Sequence, residues 1–266
     1  MRHGYTADEA KPQMGFFTDT SLCIGCKACE VACKEWNHVP DSVQELTGMS
    51  YDNTIDLGAN TWRHVKFIEQ PAQIETEEGF RWLMSSDVCK HCDEAACLDV
   101  CPTGALFRTE FDTVVVQSDV CNGCGYCVPA CPFGVLDKRE GDGRVWKCTL
   151  CYDRLLDDKE PACAQACPTD SIQFGELGDL REHAQVRVLE LQEKGVQGAQ
   201  LYGADPDDGV GGMHAFFLLL DEPEAYSLPP DPKVTTRDLG SIWTSAAAAA
   251  GALAFGIAVS VFGGRR

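Results

Sequence analysis

The chain has 266 residues, 44% of them hydrophobic, with a formal net charge of −19; that is enough apolar material for one or two compact domains and excludes a disordered chain. The acidic balance argues against nucleic acid as a partner and reads first as a solvated surface that keeps the protein soluble, electrostatic docking being the other use of such a charge. Sixteen cysteines, recurring every three or four residues, stand too close together to pair within a group as the disulfides of a short secreted framework do, so metal is the better reading.

Residues Met1 to Gly15 show no continuous apolar stretch and no small-residue cleavage site, so no classical signal peptide is expected; 1–16 reads as an N-terminal arm. Group one follows, with Cys23, Cys26, Cys29 and Cys33. An insertion separates it from group two, and its part 37–88, carrying Trp62, Phe67, Phe80 and Trp82 beyond Trp36, is large enough to pack as a subdomain. Group two is Cys89, Cys92, Cys97 and Cys101; the β-branched run Thr113 to Gln117 is the expected strand before group three, Cys121, Cys124, Cys127 and Cys131. A short insertion, 137–147, leads to group four, Cys148, Cys151, Cys163 and Cys167. This is an internal repeat that extends past the sulfurs: Asp87-Val88-Cys89 parallels Asp119-Val120-Cys121, and Cys101-Pro102, Cys131-Pro132 and Cys167-Pro168 each open a similar turn. Each unit reads as a cysteine loop entering a short helix, then a turn into a short strand.

Beyond group four, Leu177, Leu180, Ala184, Val188 and Leu191 follow helical spacing, with Gly195 where a C-cap belongs. Residues 203–212 and 227–240 are rich in Gly, Pro and Asp and read as surface loops, so 177–240 forms a helix-and-loop extension. Ile242 to Phe262 is uncharged and long enough to span a bilayer. An Ala-rich buried helix or a flexible tail is the competing reading of 242–262, but little chain remains for it to pack against.

The spacings are specific. Groups one and three read C-x2-C-x2-C-x3-C, the run that wraps three thiolates around one [4Fe–4S] cube and sends the fourth to a neighbour. Structural zinc asks instead for two separated C-x2-C pairs, and no His stands at ligand spacing; no C-x-x-C-H occurs, which excludes c-type haem. Groups two and four are the same motif with residues inserted before the third ligand, and only group one lacks the following proline, Lys34 standing there. Two-cluster ferredoxins exchange fourth ligands between paired motifs; adjacency pairs group two with three and leaves one with four. The expected ligand sets are then Cys23, Cys26, Cys29 and Cys167; Cys148, Cys151, Cys163 and Cys33; Cys89, Cys92, Cys97 and Cys131; and Cys121, Cys124, Cys127 and Cys101. Sequential pairing stays open at this stage. The cofactors expected are four [4Fe–4S] clusters, each adding roughly −2 with its thiolates; full ligation leaves no open iron, so no catalytic site is expected. Gly25, Ala28, Gly123, Gly125 and Ala130 suit close backbone approach to sulfur. His91 reads as a group beside the ligands or at the surface; Lys27, Lys90 and Lys147 either offset cluster charge or are ordinary exposed lysines. The fold class expected is α+β: two pseudo-symmetric modules like bacterial two-cluster ferredoxins, 17–36 with 137–176 and 89–136, plus insertions and one C-terminal transmembrane helix.

The segments SLCIGCKACEVACKEWN (21–37), YDN (51–53), CNGCGYC (121–127), WKCTLCYDR (146–154), EPAC (160–163), GVGGMH (209–214) and LPPDP (228–232) closely resemble the iron–sulfur β subunit of membrane-bound respiratory formate dehydrogenases. The cysteine pattern alone is shared with the equivalent subunits of other molybdopterin oxidoreductases, of the dimethyl sulfoxide, polysulfide and thiosulfate types; a free polyferredoxin is a further alternative. The resemblance implies a catalytic partner carrying molybdenum or tungsten bis-pterin, a cytochrome b or similar quinone-reducing partner in the membrane, and anchorage in the lipid bilayer through the C-terminal helix. In exported members the catalytic subunit bears a twin-arginine signal and carries the β subunit across, which implies clusters on the periplasmic face with Arg265 and Arg266 on the cytoplasmic side. Lys233 and Arg237 before the span balance those two arginines, so a cytoplasmic cluster domain is the alternative.

Overall fold

The computed structural model describes residues 11–41, 46, 48, 51, 53–70 and 80–263; most of the expected N-terminal arm, Asp52 of the YDN motif, and Arg265 and Arg266 lie outside them. In chain order, β1 (Met14–Asp19) leads through the first cysteine loop into α1 (Ala28–Asn37). The insertion supplies a hairpin, β2 (Arg63–Gln70) and β3 (Arg81–Val88). Group two enters α2 (Ala96–Asp99), followed by β4 (Leu106–Arg108) and β5 (Val114–Val116), and group three enters α3 (Cys127–Ala130). The ribbon β6 (Asp137–Lys138) and β7 (Val145–Trp146) precedes α4 (Tyr152–Leu156) and α5 (Ala162–Gln165) of group four. Then come β8 (Ile172–Glu176), α6 (Leu177–Glu193), β9 (Gln200–Tyr202), β10 (Ala215–Leu219) and the terminal α7 (Leu239–Gly263).

The largest sheet runs β8-β1-β10-β9, and its centre joins the two ends of the cluster-binding region. β1 pairs parallel with β10, Phe17 opposite Phe216, and antiparallel with β8, Phe17 opposite Gln173. Both central strands are buried on both faces, so they read as continuous apolar runs instead of alternating ones. Phe16, Phe17, Phe216, Phe217, Leu218 and Leu219 are all fully buried, and Phe17 stacks on Phe216 with ring centres 5.3 Å apart. Two expectations are corrected here: residues 14–16 belong to this strand and not to an arm, and the extension 177–240 is not only helix and loop, because it contributes the central strand β10 and the edge strand β9. Short apolar runs without alternation carry no strand signature of their own.

The expected helix over 177–191 is present as α6, its buried face formed by Leu177, Leu180, Ala184 and Leu191, while Val188 is only partly buried. Gly195 follows with φ +92°, a left-handed position that suits glycine after a helix end. The expected strand at 113–117 is β5, paired with β4.

Within the insertion Tyr51, Phe67 and Trp82 pack together, with ring centres 5.0–6.1 Å apart. Trp36, Phe80 and Trp82 are exposed, and of the five aromatics only Trp62 is buried. The hairpin lies over the cysteine loops: Trp62 and Val65 join the core that contains Cys29, Cys33, Cys89 and Cys148, while Leu83 joins the core under α6. Phe17→Ala, which would leave a void beneath the β1–β10 pair, is expected to cost about 3–5 kcal/mol; a guanidinium unfolding curve followed by tryptophan fluorescence checks it, and a loss below about 1 kcal/mol would mean that the strand pair is not the centre of the fold.

Candidate metal centres

The first C-x-x-C step of each group bends the backbone through the left-handed region at the residue just before its second cysteine: Gly25 (φ +65°), His91 (φ +45°), Gly123 (φ +70°) and Leu150 (φ +56°). Such a turn gathers successive N–H groups around an anion and draws adjacent cysteines toward one point. In groups one and three the residue is glycine for a steric reason as well. A Cβ on Gly123 would stand 2.3 Å from the carbonyl oxygen of Gly143, and one on Gly25 would meet Phe67 at 2.6 Å and Met84 at 2.7 Å.

No cysteine is in a disulfide; all sixteen are free. Cys23, Cys26, Cys29 and Cys167 line one small pocket. Cys101, Cys121, Cys124 and Cys127 line another. Burial pushes the Cys33 thiol well above its ordinary range, and repulsion from Cys148, Cys163 and Cys151 adds to it. Burial likewise raises Cys92, reinforced by Cys89, Cys131 and Cys97. Eight of the sulfurs thus line two pockets, four to each, and the other eight are buried close enough to repel one another. Neighbouring sets feel one another too. Burial lifts Cys29 to about 11 with Cys163 contributing, Cys148 to about 12 with Cys89 contributing, and Cys97 to about 12 with Cys127 contributing.

These thiols need a cation to ionise together, and an all-sulfur set of four around a cavity is the donor chemistry of an iron–sulfur cube. The protein supplies further compensation. At Cys101 burial raises the thiol, but N–H donation from Leu106, Thr103 and Ala105 and the Thr103 hydroxyl outweigh it and bring it below its ordinary value. Asn37 points its amide at Cys33 and Cys151, 3.7 Å from each sulfur.

The structure decides the reading of the lysines. Lys90 and Lys147 are each 1% exposed. Lys90 pairs with Asp87, donates to the Val88 carbonyl at 2.9 Å and lies over the rings of Phe133 and Phe217. Lys147 donates to the carbonyls of Val114 and Cys148, and its charge acts against the rise of both Cys97 and Cys148. Lys27 is a partly exposed partner of Glu30. His91 is buried beside the ligands, its Nδ1 accepting the Val114 N–H at 3.1 Å; burial, then Lys147, holds it well below the ordinary histidine range and thus neutral.

Two contributions escape sequence reasoning. Arg63, 2% exposed at the start of β2, places a guanidinium among the thiols of groups one and four. The GVGGMH segment, whose role no motif spells out, staples the second cysteine loop: Asp93 N–H donates to the Gly212 carbonyl, Glu94 N–H to that of Val210, and Cys92 bridges Met213.

Comparison with known proteins agrees with this chemistry. Residues 80–177 match one family model described as a 4Fe-4S dicluster domain, and residues 22–105 match a second of the same description. The iron-sulfur subunit of the nitrate-inducible formate dehydrogenase of Escherichia coli K12 is 42% identical over 89% of this chain and 78% of that relative. The formate dehydrogenase-O iron-sulfur subunit of the same organism is 40% identical over 96% of this chain and 84% of the relative. The B polypeptide of the anaerobic dimethyl sulfoxide reductase of that organism is 36% identical over 64% of this chain and 77% of the relative.

Gly123→Ala forces a side chain against the Gly143 carbonyl at a left-handed position. Protein purified anaerobically is expected to lose about one cube, or about four irons, by colorimetric iron assay; full iron retention would show that this loop tolerates another geometry.

Proposed function

Because the polypeptide belongs to the family of formate dehydrogenase iron–sulfur subunits, we propose that it holds four [4Fe–4S] clusters and carries electrons through them, from a molybdenum- or tungsten-pterin subunit that oxidises formate to a membrane subunit that reduces quinone. It is an electron-transfer subunit without a catalytic site of its own. The observation that supports the four-cluster reading is the pair of pockets lined by four cysteines each, with the remaining eight thiols buried and repelling one another in two further groups.

The ligand sets we assign are Cys23, Cys26, Cys29 with Cys167; Cys148, Cys151, Cys163 with Cys33; Cys89, Cys92, Cys97 with Cys131; and Cys121, Cys124, Cys127 with Cys101. The pairing of group one with four and two with three is supported by the packing of α1 on α5 and of α2 on α3. The antiparallel pair β1–β8 joins the outer flanks of groups one and four, and β4–β5 joins the inner flanks of groups two and three, which supports two modules built from those group pairs. The repulsion felt between sets, by Cys29 from Cys163, by Cys148 from Cys89 and by Cys97 from Cys127, favours a single file in the order just given.

The file has a direction in space. α7 is 25 residues long, contains an 18-residue stretch with a mean hydropathy of 1.9, and has no buried residue among those described; at 1.5 Å per residue it exceeds a hydrocarbon core of about 30 Å. Its root is tied to the second module, where Thr235 donates to the Ala130 carbonyl at 3.4 Å and Thr236 to Asp99 at 2.6 Å. The Cys121 and Cys89 sets therefore lie at the membrane end. At the far end, beside the Cys23 set, Ile24 and Val31 are exposed apolar residues, a surface suited to the catalytic partner. Placing the clusters on the outer face of the membrane rests on the likeness to exported members.

Formate added anaerobically to the purified complex is expected to bleach the visible absorption of these clusters; a full set of clusters unmoved by formate would reassign the protein to another molybdopterin oxidoreductase. Cys167→Ser is expected to alter the EPR signal of the cluster built on group one, whereas loss of the group-four cluster alone would overturn the pairing. Deleting residues 239–266 should move the cluster domain from the membrane fraction to the supernatant; retention in membranes would show that α7 is not the anchor.

A further inference from the structure

Arg63 is buried to 2%, and a guanidinium so far from water requires a reason. No carboxylate is hydrogen-bonded or ion-paired to it among the described residues. Its Nη1 donates to the Ser86 hydroxyl oxygen at 3.0 Å and, more weakly, to the Ser86 carbonyl at 3.4 Å. The guanidinium carbon lies 4.9 Å from the centre of the Phe16 ring. Its Nε and Nη2 meet no oxygen or nitrogen acceptor among the described residues, and the Cys163 sulfur is the further acceptor within reach of its side chain. Five N–H donors in a planar fork are thus only partly used, in a place where water does not reach.

What surrounds the fork is sulfur. Burial by itself would favour losing the proton, but the thiols of Cys163, Cys29, Cys148 and Cys33 hold the group charged. These four cysteines divide between two of the assigned sets, Cys29 in that of group one and the other three in that of group four. Ser86 adds a directed link: its oxygen lies 3.2 Å from the sulfur of Cys29. A ligating thiolate has no proton to give, and Arg63 already donates to the Ser86 oxygen, so the serine O–H points at Cys29. Lys147, between the next two sets, differs in kind, because two backbone carbonyls already take its protons.

We propose that Arg63 sets the reduction potentials of the first two clusters of the file, its remaining Nε–H and Nη2–H donating to their sulfurs and its Nη1–H acting on Cys29 through Ser86. Adding an electron to a cluster adds one negative charge, and a fixed cation with N–H donors in a dry site stabilises that charge, which raises the potential. One residue acting on two neighbours keeps both within reach of reduction by the incoming electron and leaves the two membrane-side clusters untouched. The inference rests on the four-cluster reading, and iron content separates a failure of that reading from a failure of this one.

The test is an anaerobic EPR redox titration of the intact complex carrying Arg63→Gln or Ser86→Ala, with iron measured on each sample. In Arg63→Gln, two of the four clusters are expected to show a reduced-to-oxidised ratio at least tenfold lower at a fixed potential, equal to 59 mV for one electron, and two are expected to titrate as in the parent. In Ser86→Ala, one cluster should move the same way by a smaller factor. Full iron with four unchanged potentials in Arg63→Gln overturns the proposal. If that variant does not load iron, Ser86→Ala decides: one displaced cluster supports the role of Arg63, and four unchanged clusters overturn it. A parent complex with far fewer than about sixteen irons would instead sink the four-cluster reading.

Discussion

Sulfur ligands bind iron as thiolates, and fourteen of this protein's sixteen cysteines are buried or partly buried, where an uncompensated negative charge costs several kcal/mol. Every unusual feature around the cysteines answers that cost. Left-handed turns at Gly25, His91, Gly123 and Leu150 gather backbone N–H groups about each loop. Asn37, Ser86 and Thr103 bring side-chain donors within reach of sulfur, and Lys90, Lys147 and Arg63 bring charge that is itself buried. None of these groups has an evident purpose in an apoprotein, where repelling thiols and buried cations would be a liability; with cubes in place they become mutual compensation.

The scaffold is arranged so that the loops can be held without a large core of their own. Short helices of four or five residues at groups two, three and four are too brief to stand alone. They are positioned by the β8-β1-β10-β9 sheet and by the hairpin from the insertion, which lays Trp62 and Val65 against the sulfur-lined core. The strand after the last cysteine group returns beside the strand before the first, which brings groups one and four together. The same tail clamps the second cysteine loop through Val210 and Gly212. An extension that reads as connecting material is therefore part of the cluster housing.

The cysteines were legible in the sequence because their ligand geometry is local: three sulfurs within seven residues define the loop wherever it folds. α6, β5 and α7 were legible for the same reason, each carrying its own periodicity or length. β1 and β10 were not, since a six-residue and a five-residue apolar run gain strand identity only by pairing with each other across about 200 positions of sequence. Aromatic content in the insertion could be read from the sequence but not which rings are covered: Trp62 is buried, whereas Trp36, Phe80 and Trp82 lie at the surface. Lys90 and Lys147 stood beside ligands and could be weighed, although burial alone decides their role. Arg63 stands 26 residues from the nearest cysteine in sequence, Cys89, and no spacing rule points to it; only the β2–β3 hairpin brings it to the sulfurs.

Electron flow through such a protein depends on a complete file of centres, so the central claim is stoichiometric. Native mass spectrometry of the anaerobically purified complex, with this subunit released in the gas phase, tests it most directly. The account predicts a mass above that of the polypeptide by four [4Fe–4S] units, about sixteen irons with as many sulfides, and no zinc. A fully loaded subunit carrying fewer than four cubes, or zinc in place of one, would contradict it.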